Sequence, residues 1–467
     1  MQSNAKKFII LKYFEERNWS EHIPTFVLIL ILGIFFSYSV FIAFNLQPGI
    51  IPDEPAHFLF SKHFSTTWGI PPDIPKTYRL GWYIEQNPFL FYWINGRIIN
   101  FLNFIYPSVS DWQTFVFLRL VNAIYSVGTA LFCWLLSKEL IKSRWWQLLP
   151  IFLLTNTLMF VFLSGGVNYD NLANLFSIAG IYFWVRALYG RDFIKSSLAW
   201  LICVSAGALV KYPVLPLVLA TFIGWFIFVF INRKDIFPLT INKKSEIFLG
   251  IFSLLLIIGN LALYGYNLVL YQGIRPQCTQ ILTLEQCQIS PYLNRYNESA
   301  LDQKLTITES INMGYPDPIS YTIDSWIPNM FYRIFGILGH KSYFPTGMII
   351  FYRLLFFWTL FLIIKYWKRP SFAIFGMMAV FLFYTFVLLF TNYDSELVYG
   401  FQQIAIQGRY LFPVIGIAYV LFAKLLTTIP NKSVRIMTLL ATVVLFFMGG
   451  PIKFIVFFRT IFSSWFF

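Results

Sequence analysis

Residues 51–58 read Ile-Pro-Asp-Glu-Pro-Ala-His-Phe, and this stretch carries the sharpest local signal for chemistry in the chain. Asp53 and Glu54 are adjacent acids, Pro55 favours the start of a helix, and His57 follows one turn on. Carboxylates at the positive end of a helix dipole are favoured in their ionised form, the form a general base needs. Plain helix capping accounts for the same residues equally well. Two acids and a histidine in this spacing also suit a divalent metal.

Further acids, amides and bases come from distant places: Glu85 and Asn87; Asn168, Asp170 and Asn171; Lys211; and Asp394, Glu396, Gln407 and Arg409. Most flank long apolar runs, and those runs are the elements that must position them. Apolar residues make up 58% of the chain, aromatic ones 21% and charged ones only 12%. Soluble domains carry roughly a quarter charged residues, so lipid must be the solvent for most of this chain. Runs long enough to span a bilayer lie near 26–44, 114–136, 147–163, 172–189, 197–210, 213–231, 247–270, 345–364, 372–391, 409–427 and 436–457. The expectation is an all-α integral membrane protein of about eleven transmembrane helices, a single polytopic domain over residues 1–467. The first run is longer than a signal-peptide core and lacks a small-residue cleavage site, so it reads as a retained span.

The net charge of +14 is not gathered in one patch and implies no nucleic-acid partner. Basic residues recur in small groups between the runs: Lys6, Lys7, Lys12 and Arg17; Lys138, Lys142 and Arg144; Arg186, Arg191 and Lys195; Arg233, Lys234, Lys243 and Lys244; Lys365, Lys368 and Arg369; Lys432 and Arg435. Retention of positive charge in short cytoplasmic loops produces this pattern. It places three segments outside: 45–113, a first loop carrying the acidic motif; 271–344, the largest; and 392–408. The first should form helices lying along the membrane interface, with Trp82, Tyr83, Tyr92 and Trp93 at headgroup level. All the acid-bearing clusters named above then fall on the extracytoplasmic face. In the large loop Cys278 and Cys287 are nine residues apart, which reads as a local disulfide in an oxidising compartment.

An acidic pair opening the first external loop resembles the GT-C class of membrane glycosyltransferases, which includes protein O-mannosyltransferases, aminoarabinose transferases and oligosaccharyltransferases. Four segments look like successive motifs of a prokaryotic GT-C-like membrane family: Pro52-Asp53-Glu54-Pro55-Ala56-His57-Phe58, Glu85-Gln86-Asn87-Pro88, Gly166-Val167-Asn168-Tyr169-Asp170 and Gln407-Gly408-Arg409-Tyr410. The resemblance runs in order from residue 26 to about residue 427. It does not extend to the 271–344 loop, and the aromatic-acidic signature of oligosaccharyltransferases is missing, so transfer to asparagine is not implied.

The resemblance implies transfer of a sugar from a polyprenyl-phosphate-linked donor to a glycan, lipid or protein acceptor at the extracytoplasmic side of the plasma (inner) membrane. No nucleotide cofactor is expected, and a divalent metal remains possible. Asp53 would be the general base, with Glu54 supporting it or sharing the metal. Arg409 would hold the donor phosphate through bidentate contacts, with Lys211 as second choice. His57, Glu85, Asn168, Asp170 and Tyr410 would line the substrate site. Two other readings stand beside this one. A transporter or flippase would place ionisable residues near the bilayer midplane and show inverted repeats. A polysaccharide polymerase or ligase would rely on basic and histidine residues in a large external loop, where 271–344 has only His340.

Overall fold

A computed structural model describes residues 19–78, 83–236, 244–288, 304–338, 342–343, 346–367, 370–403 and 406–467. Trp82, His340 and the basic residues at 6, 7, 12, 17, 243, 368 and 369 lie outside the described residues.

The molecule is helical almost throughout. The helices that bear on the site are α1 (Trp19–Asn45), α2 (Glu54–Phe64), α3 (Leu90–Ile105), α4 (Asp111–Leu140), α5 (Leu148–Thr155), α6 (Leu158–Ser164), α7 (Tyr169–Leu188) and α8 (Phe193–Val210). They are followed by α9 (Leu215–Ile231), α10 (Lys244–Asn260), α11 (Ile327–Phe335), α12 (Thr346–Tyr366), α13 (Phe372–Tyr399), α14 (Phe412–Thr428), α15 (Lys432–Gly449) and α16 (Pro451–Ile461). Strand structure among the described residues is one antiparallel two-residue pair, Ile337–Leu338 with Ser342–Tyr343.

Among the described residues nine helices are long and apolar enough to cross a membrane, not eleven. The two expected spans that differ do so for visible reasons. The run at 147–163 is broken at Asn156–Thr157 into α5 and α6. Asn156 donates its side-chain amide back to the Phe152 carbonyl at 2.8 Å, the local competition that ends helices at such residues. The run at 172–189 is the 20-residue α7, whose first turns carry Asp170, Asn171, Asn174 and Ser177, all buried inside the protein. Helix α7 packs against α4 and α8, so its polar face is shielded from lipid by neighbouring helices. The hydroxyls of α1 and α6 meet where Ser39 and Ser164 hydrogen-bond at 2.7 Å.

The 45–113 segment is largely helical. Phe60 and Phe64 of α2 stack around Tyr92 of α3, while the far end of α3 exposes Phe101, Phe104 and Ile105. Helix α13 runs on to Tyr399, so Asp394 and Glu396 belong to its last turns and not to a loop beginning at 392. In the 271–344 segment Cys278 and Cys287 are joined by a disulfide with Cα atoms 5.8 Å apart. Residues 465–467 return to the start of the first loop: Gln47 donates to the Trp465 carbonyl at 2.8 Å and Phe467 to that of Asn45 at 2.9 Å. The end of α1 and residues 465–467 therefore share one end of the bundle, the end that also carries Asp53.

Candidate active site

Helix α1 stops at Asn45, and the chain turns through Gly49 to Asp53 before α2 begins. Asp53 occupies the N-cap position of α2 in the left-handed region, at φ 60°, yet its side chain makes no capping hydrogen bond. Left-handed backbone is tolerated by Asp better than by most residues but still costs energy, and strain of this kind clusters at functional sites. The turn aims the carboxylate across the molecule: Arg409 Nη2 donates to Asp53 Oδ2 at 2.8 Å, from a residue 356 positions away. The Asp53 side chain is 40% exposed, whereas that of Arg409 is 6% exposed. Of the two readings of Asp53 left open by the sequence, simple capping is the one this geometry disfavours.

Glu54 points the other way. Its carboxylate is fully buried and forms a two-pronged pair with Arg119 of α4, Nε to Oε1 at 2.8 Å and Nη2 to Oε2 at 2.7 Å. The Val167 N–H also donates to Oε1 at 3.0 Å. The remaining guanidinium nitrogen of Arg119 donates to the carbonyls of Ala43 and Leu46, at 2.9 and 2.7 Å. One buried ion pair thus ties together the end of α1, the start of α2, the middle of the bundle and the loop before α7. The Glu54 carboxylate is thus turned into the protein, away from the side on which Asp53 is partly exposed.

The loop before α7 is held by close approach. A Cβ at Gly166 would collide with Ile51, so only glycine lets this loop lie against the turn that carries Asp53. Asn168 caps α7 by accepting from the Asp170 N–H at 2.8 Å, and its amide donates to the Pro52 carbonyl at 3.1 Å. Asn168 therefore both starts a helix and buttresses Asp53. Asp170 faces two cations: Lys211 is hydrogen-bonded to it, and Arg409 Nε stands 3.6 Å away.

Lys211 leaves α8 in extended conformation and lies over the rings of Tyr169 and Tyr410, 4.5 and 4.3 Å from their centroids. Burial pulls its amine down to about 8, against the opposing pull of Asp170. His57 is buried one turn into α2, its Nδ1 2.9 Å from the Tyr92 hydroxyl and its ring edge-on to Tyr169 at 4.4 Å. Burial lowers its imidazole to about 3, so it is neutral at any ordinary pH and shapes the wall. Among the described residues no three metal-ligating side chains converge, so Asp53, Glu54 and His57 do not form the metal site that their spacing allows.

Arg409 follows Gly408, where a Cβ would collide with the Arg333 backbone, so the turn before α14 presses directly onto α11. Nε and Nη1 of Arg409 are buried without a hydrogen-bond partner. Tyr410 stacks beside it and is anchored by its carbonyl, which accepts from Tyr384 at 2.9 Å. Glu85 is exposed and shares its surroundings with Asp73, apart from this group. The site is therefore a chain of alternating charges, Asp53, Arg409, Asp170 and Lys211, walled by Tyr92, Tyr169, Tyr410 and His57. Its only markedly open carboxylate is Asp53. Sequence reasoning passed over Arg119, although an arginine among Phe117, Leu118, Leu120 and Val121 is the kind of intramembrane charge that signals a buried partner.

Residues 54–269 match the family model of dolichyl-phosphate-mannose-protein mannosyltransferases. No curated protein sequence matches the chain. Among solved structures, the apo oligosaccharyltransferase of Archaeoglobus fulgidus superposes with a TM-score of 0.51 at 14% identity, over 91% of this chain and 55% of that one. The archaeal oligosaccharyltransferase AglB from Archaeoglobus fulgidus, in complex with an inhibitory peptide and a dolichol-phosphate, gives 0.49 at 14% identity, over 91% and 55%. ArnT from Cupriavidus metallidurans bound to undecaprenyl phosphate gives 0.46 at 10% identity, over 89% and 62%. The chain thus spans little more than half the length of the oligosaccharyltransferase it overlays. The family-model match covers a little under half of this chain, and the fold is held in common with the archaeal oligosaccharyltransferase.

Proposed function

We propose that the protein transfers a sugar from a polyprenyl-phosphate-linked donor to an acceptor hydroxyl on the extracytoplasmic face, with Asp53 as the general base. The observation that carries this reading is the Asp53–Arg409 pair: a half-open carboxylate held by a buried guanidinium whose Nε and Nη1 have no hydrogen-bond partner. The acceptor oxygen attacks the anomeric carbon and gives its proton to Asp53 as the bond forms. The anomeric carbon–oxygen bond to phosphate breaks, and the polyprenyl phosphate departs with added negative charge. Arg409 is placed to receive that charge, and the ammonium of Lys211 adds a second cation across Asp170. Arg409 also holds Asp53 ionised until the acceptor arrives. Phosphate and carboxylate would then share one guanidinium, each through a different nitrogen, as the fork of arginine permits. Asp170 keeps both cations in place, while Asn168 and the Glu54–Arg119 pair fix the turn that bears Asp53.

The test is incubation of the purified full chain with polyprenyl-phosphate-linked sugars, following release of polyprenyl phosphate. Release that depends on Asp53 supports the reading. Absence of release from every such donor, with folded protein, would sink it.

A further inference from the structure

The end of α3 and the start of α4 meet in an exposed apolar tip. We propose, independently of the transferase reading, that this tip is a membrane-seating surface. It is immersed in the headgroup–acyl boundary of one leaflet, the leaflet at the end of α4 opposite Lys138, Lys142 and Arg144.

The tip is built from large apolar side chains and carries no charge. Phe101, Phe104, Ile105 and Tyr106 are 63, 84, 50 and 63% exposed, and Trp112 is 42% exposed. No charged residue occurs between Arg97 and Asp111. Both of these flanking charges are engaged with α2 and the loop after it. Arg97 lies 4.6 Å from the centroid of the Trp68 ring and donates to the Phe64 and Thr67 carbonyls, while Asp111 pairs with Lys62 at 2.8 Å. Soluble surfaces scatter such side chains among charges, and an exposed uncharged cluster marks a contact with a partner or with lipid. Tyr83 and Tyr92, expected at headgroup level, are buried instead, so the residues of the tip are the ones that reach outward.

The length of α4 decides what the tip meets. It has 30 residues. At 1.5 Å per residue it is about 45 Å long, which matches a bilayer with both headgroup layers, roughly 40–45 Å thick. Lys138 stands in its last turn, with Lys142 and Arg144 just beyond, and basic residues of this kind flank the cytoplasmic end of a span. With that end at one headgroup layer, Asp111 and the tip arrive at the other, where tyrosine and tryptophan are enriched. Phe117, Ile124 and Leu131 recur every seven residues, close to two turns, and all three are exposed. The tip therefore stands at the head of a lipid-facing side of the span. A second copy of the chain is a poorer occupant. The five side chains leave on the order of 600 Å² open, at about 150–250 Å² for a large aromatic side chain, which is less than the roughly 800 Å² each partner buries in a stable complex.

The seat is tied to the candidate site through α2. This helix runs antiparallel along α4, with Glu54 on Arg119, Phe58 on Phe115 and Lys62 on Asp111 in successive turns. Helix α3 crosses α2 where a Cβ at Gly96 would strike the Phe64 backbone, an approach open only to glycine. Beside that crossing Asn95 donates to Ser61 at 3.2 Å. Lipid contact at the tip thus sets the height of α2, and of the Asp53 turn before it, relative to the leaflet.

Depth-dependent quenching tests this on the full chain in phosphatidylcholine nanodiscs. Phe104→Cys in a Cys133→Ala, Cys203→Ala background carries an NBD label, with Phe117→Cys as the lipid-facing reference. Phosphatidylcholine bearing a doxyl group near the head of its acyl chain should quench the Phe104→Cys label about threefold or more beyond aqueous iodide, as it does the reference. Phe101→Cys is the second site and should give the same result, which keeps the test decisive if the Phe104 ring is needed to hold the tip. Iodide quenching with an inert doxyl lipid at both sites would leave the tip in water and overturn the seat. Labels that neither quencher reaches, in discs holding two chains, would overturn it in favour of a contact between copies. The readout needs no turnover, so the presence or absence of sugar transfer decides only the transferase reading.

Discussion

Glu54→Gln separates a positioning carboxylate from a catalytic one. Both partners of the Glu54–Arg119 pair are fully buried, and their two charge-assisted hydrogen bonds are 2.7 and 2.8 Å long. The amide keeps the shape and one acceptor but turns an N–H group toward the guanidinium and leaves Arg119 uncompensated. Removing one partner of a buried pair costs about 3–5 kcal/mol. Two lost bonds of about 1.5–3 kcal/mol each lead to the same range. The bonds from Arg119 to Ala43 and Leu46 survive and hold the loss toward the lower end. Melting by intrinsic fluorescence at a fixed scan rate should therefore drop by several degrees, a comparative measure suited to irreversible unfolding. Transfer by the molecules that remain folded should fall only modestly. The double variant Glu54→Gln with Arg119→Gln, which removes the stranded charge, should recover much of the stability. If Glu54→Gln melted like the wild type while transfer fell a hundredfold or more, Glu54 would belong to the chemistry and the assignment of Asp53 alone would be wrong.

Asp53→Asn should lower transfer by about 10²–10⁴ with a smaller drop in melting than Glu54→Gln, because the side chain caps nothing, is partly solvated and leaves Arg409 still facing Asp170; a misfolded variant would restore the capping account. Arg409→Lys keeps the charge but loses the fork that serves Asp53 and phosphate together, so donor binding and transfer should both weaken, and an unchanged rate would move the phosphate to Lys211. Lys211 is cationic below about 8 and neutral above it, so donor affinity should fall as pH rises through 8, and Lys211→Arg should abolish that fall. The same lowering means the unfolded chain holds more protons between about 8 and 10.5, so this group makes the fold more stable as pH rises across that window. On intact cells a membrane-impermeant thiol reagent should label an engineered cysteine at Thr67 but not at Lys142; the reverse would invert the proposed sidedness.

How much of this was legible beforehand depends on what each interaction leaves in the sequence. Hydropathy leaves a long, additive trace, so nine of the spans lie where runs of apolar residues stand. It fails at α5, α6 and α7 because it averages over residues that act singly: one Asn–Thr pair breaks a run, and four polar residues at the start of α7 are invisible until the helices that shield them are known. The site behaves likewise. Asp53, Asp170, Lys211 and Arg409 were visible as charges bordering lipid, where an ionisable group needs a reason. Their pairing was not, since Arg409 and Asp53 are 356 positions apart and nothing local in either motif names the other. The adjacent acids show the limit most clearly. Asp53 and Glu54 differ by one methylene and one position, and no rule of composition or spacing assigns them separate work. Their division comes from the backbone: a left-handed Asp53 turns its side chain toward Arg409, and the next residue, already helical, turns inward to Arg119. Glycine at 166 lets the loop before α7 close on that turn, and glycine at 408 lets the segment bearing Arg409 press onto α11. A base of the kind proposed for Asp53 must be both ionised and open, and Asp53 stays 40% exposed on a turn whose next residue is locked into the buried Glu54–Arg119 pair.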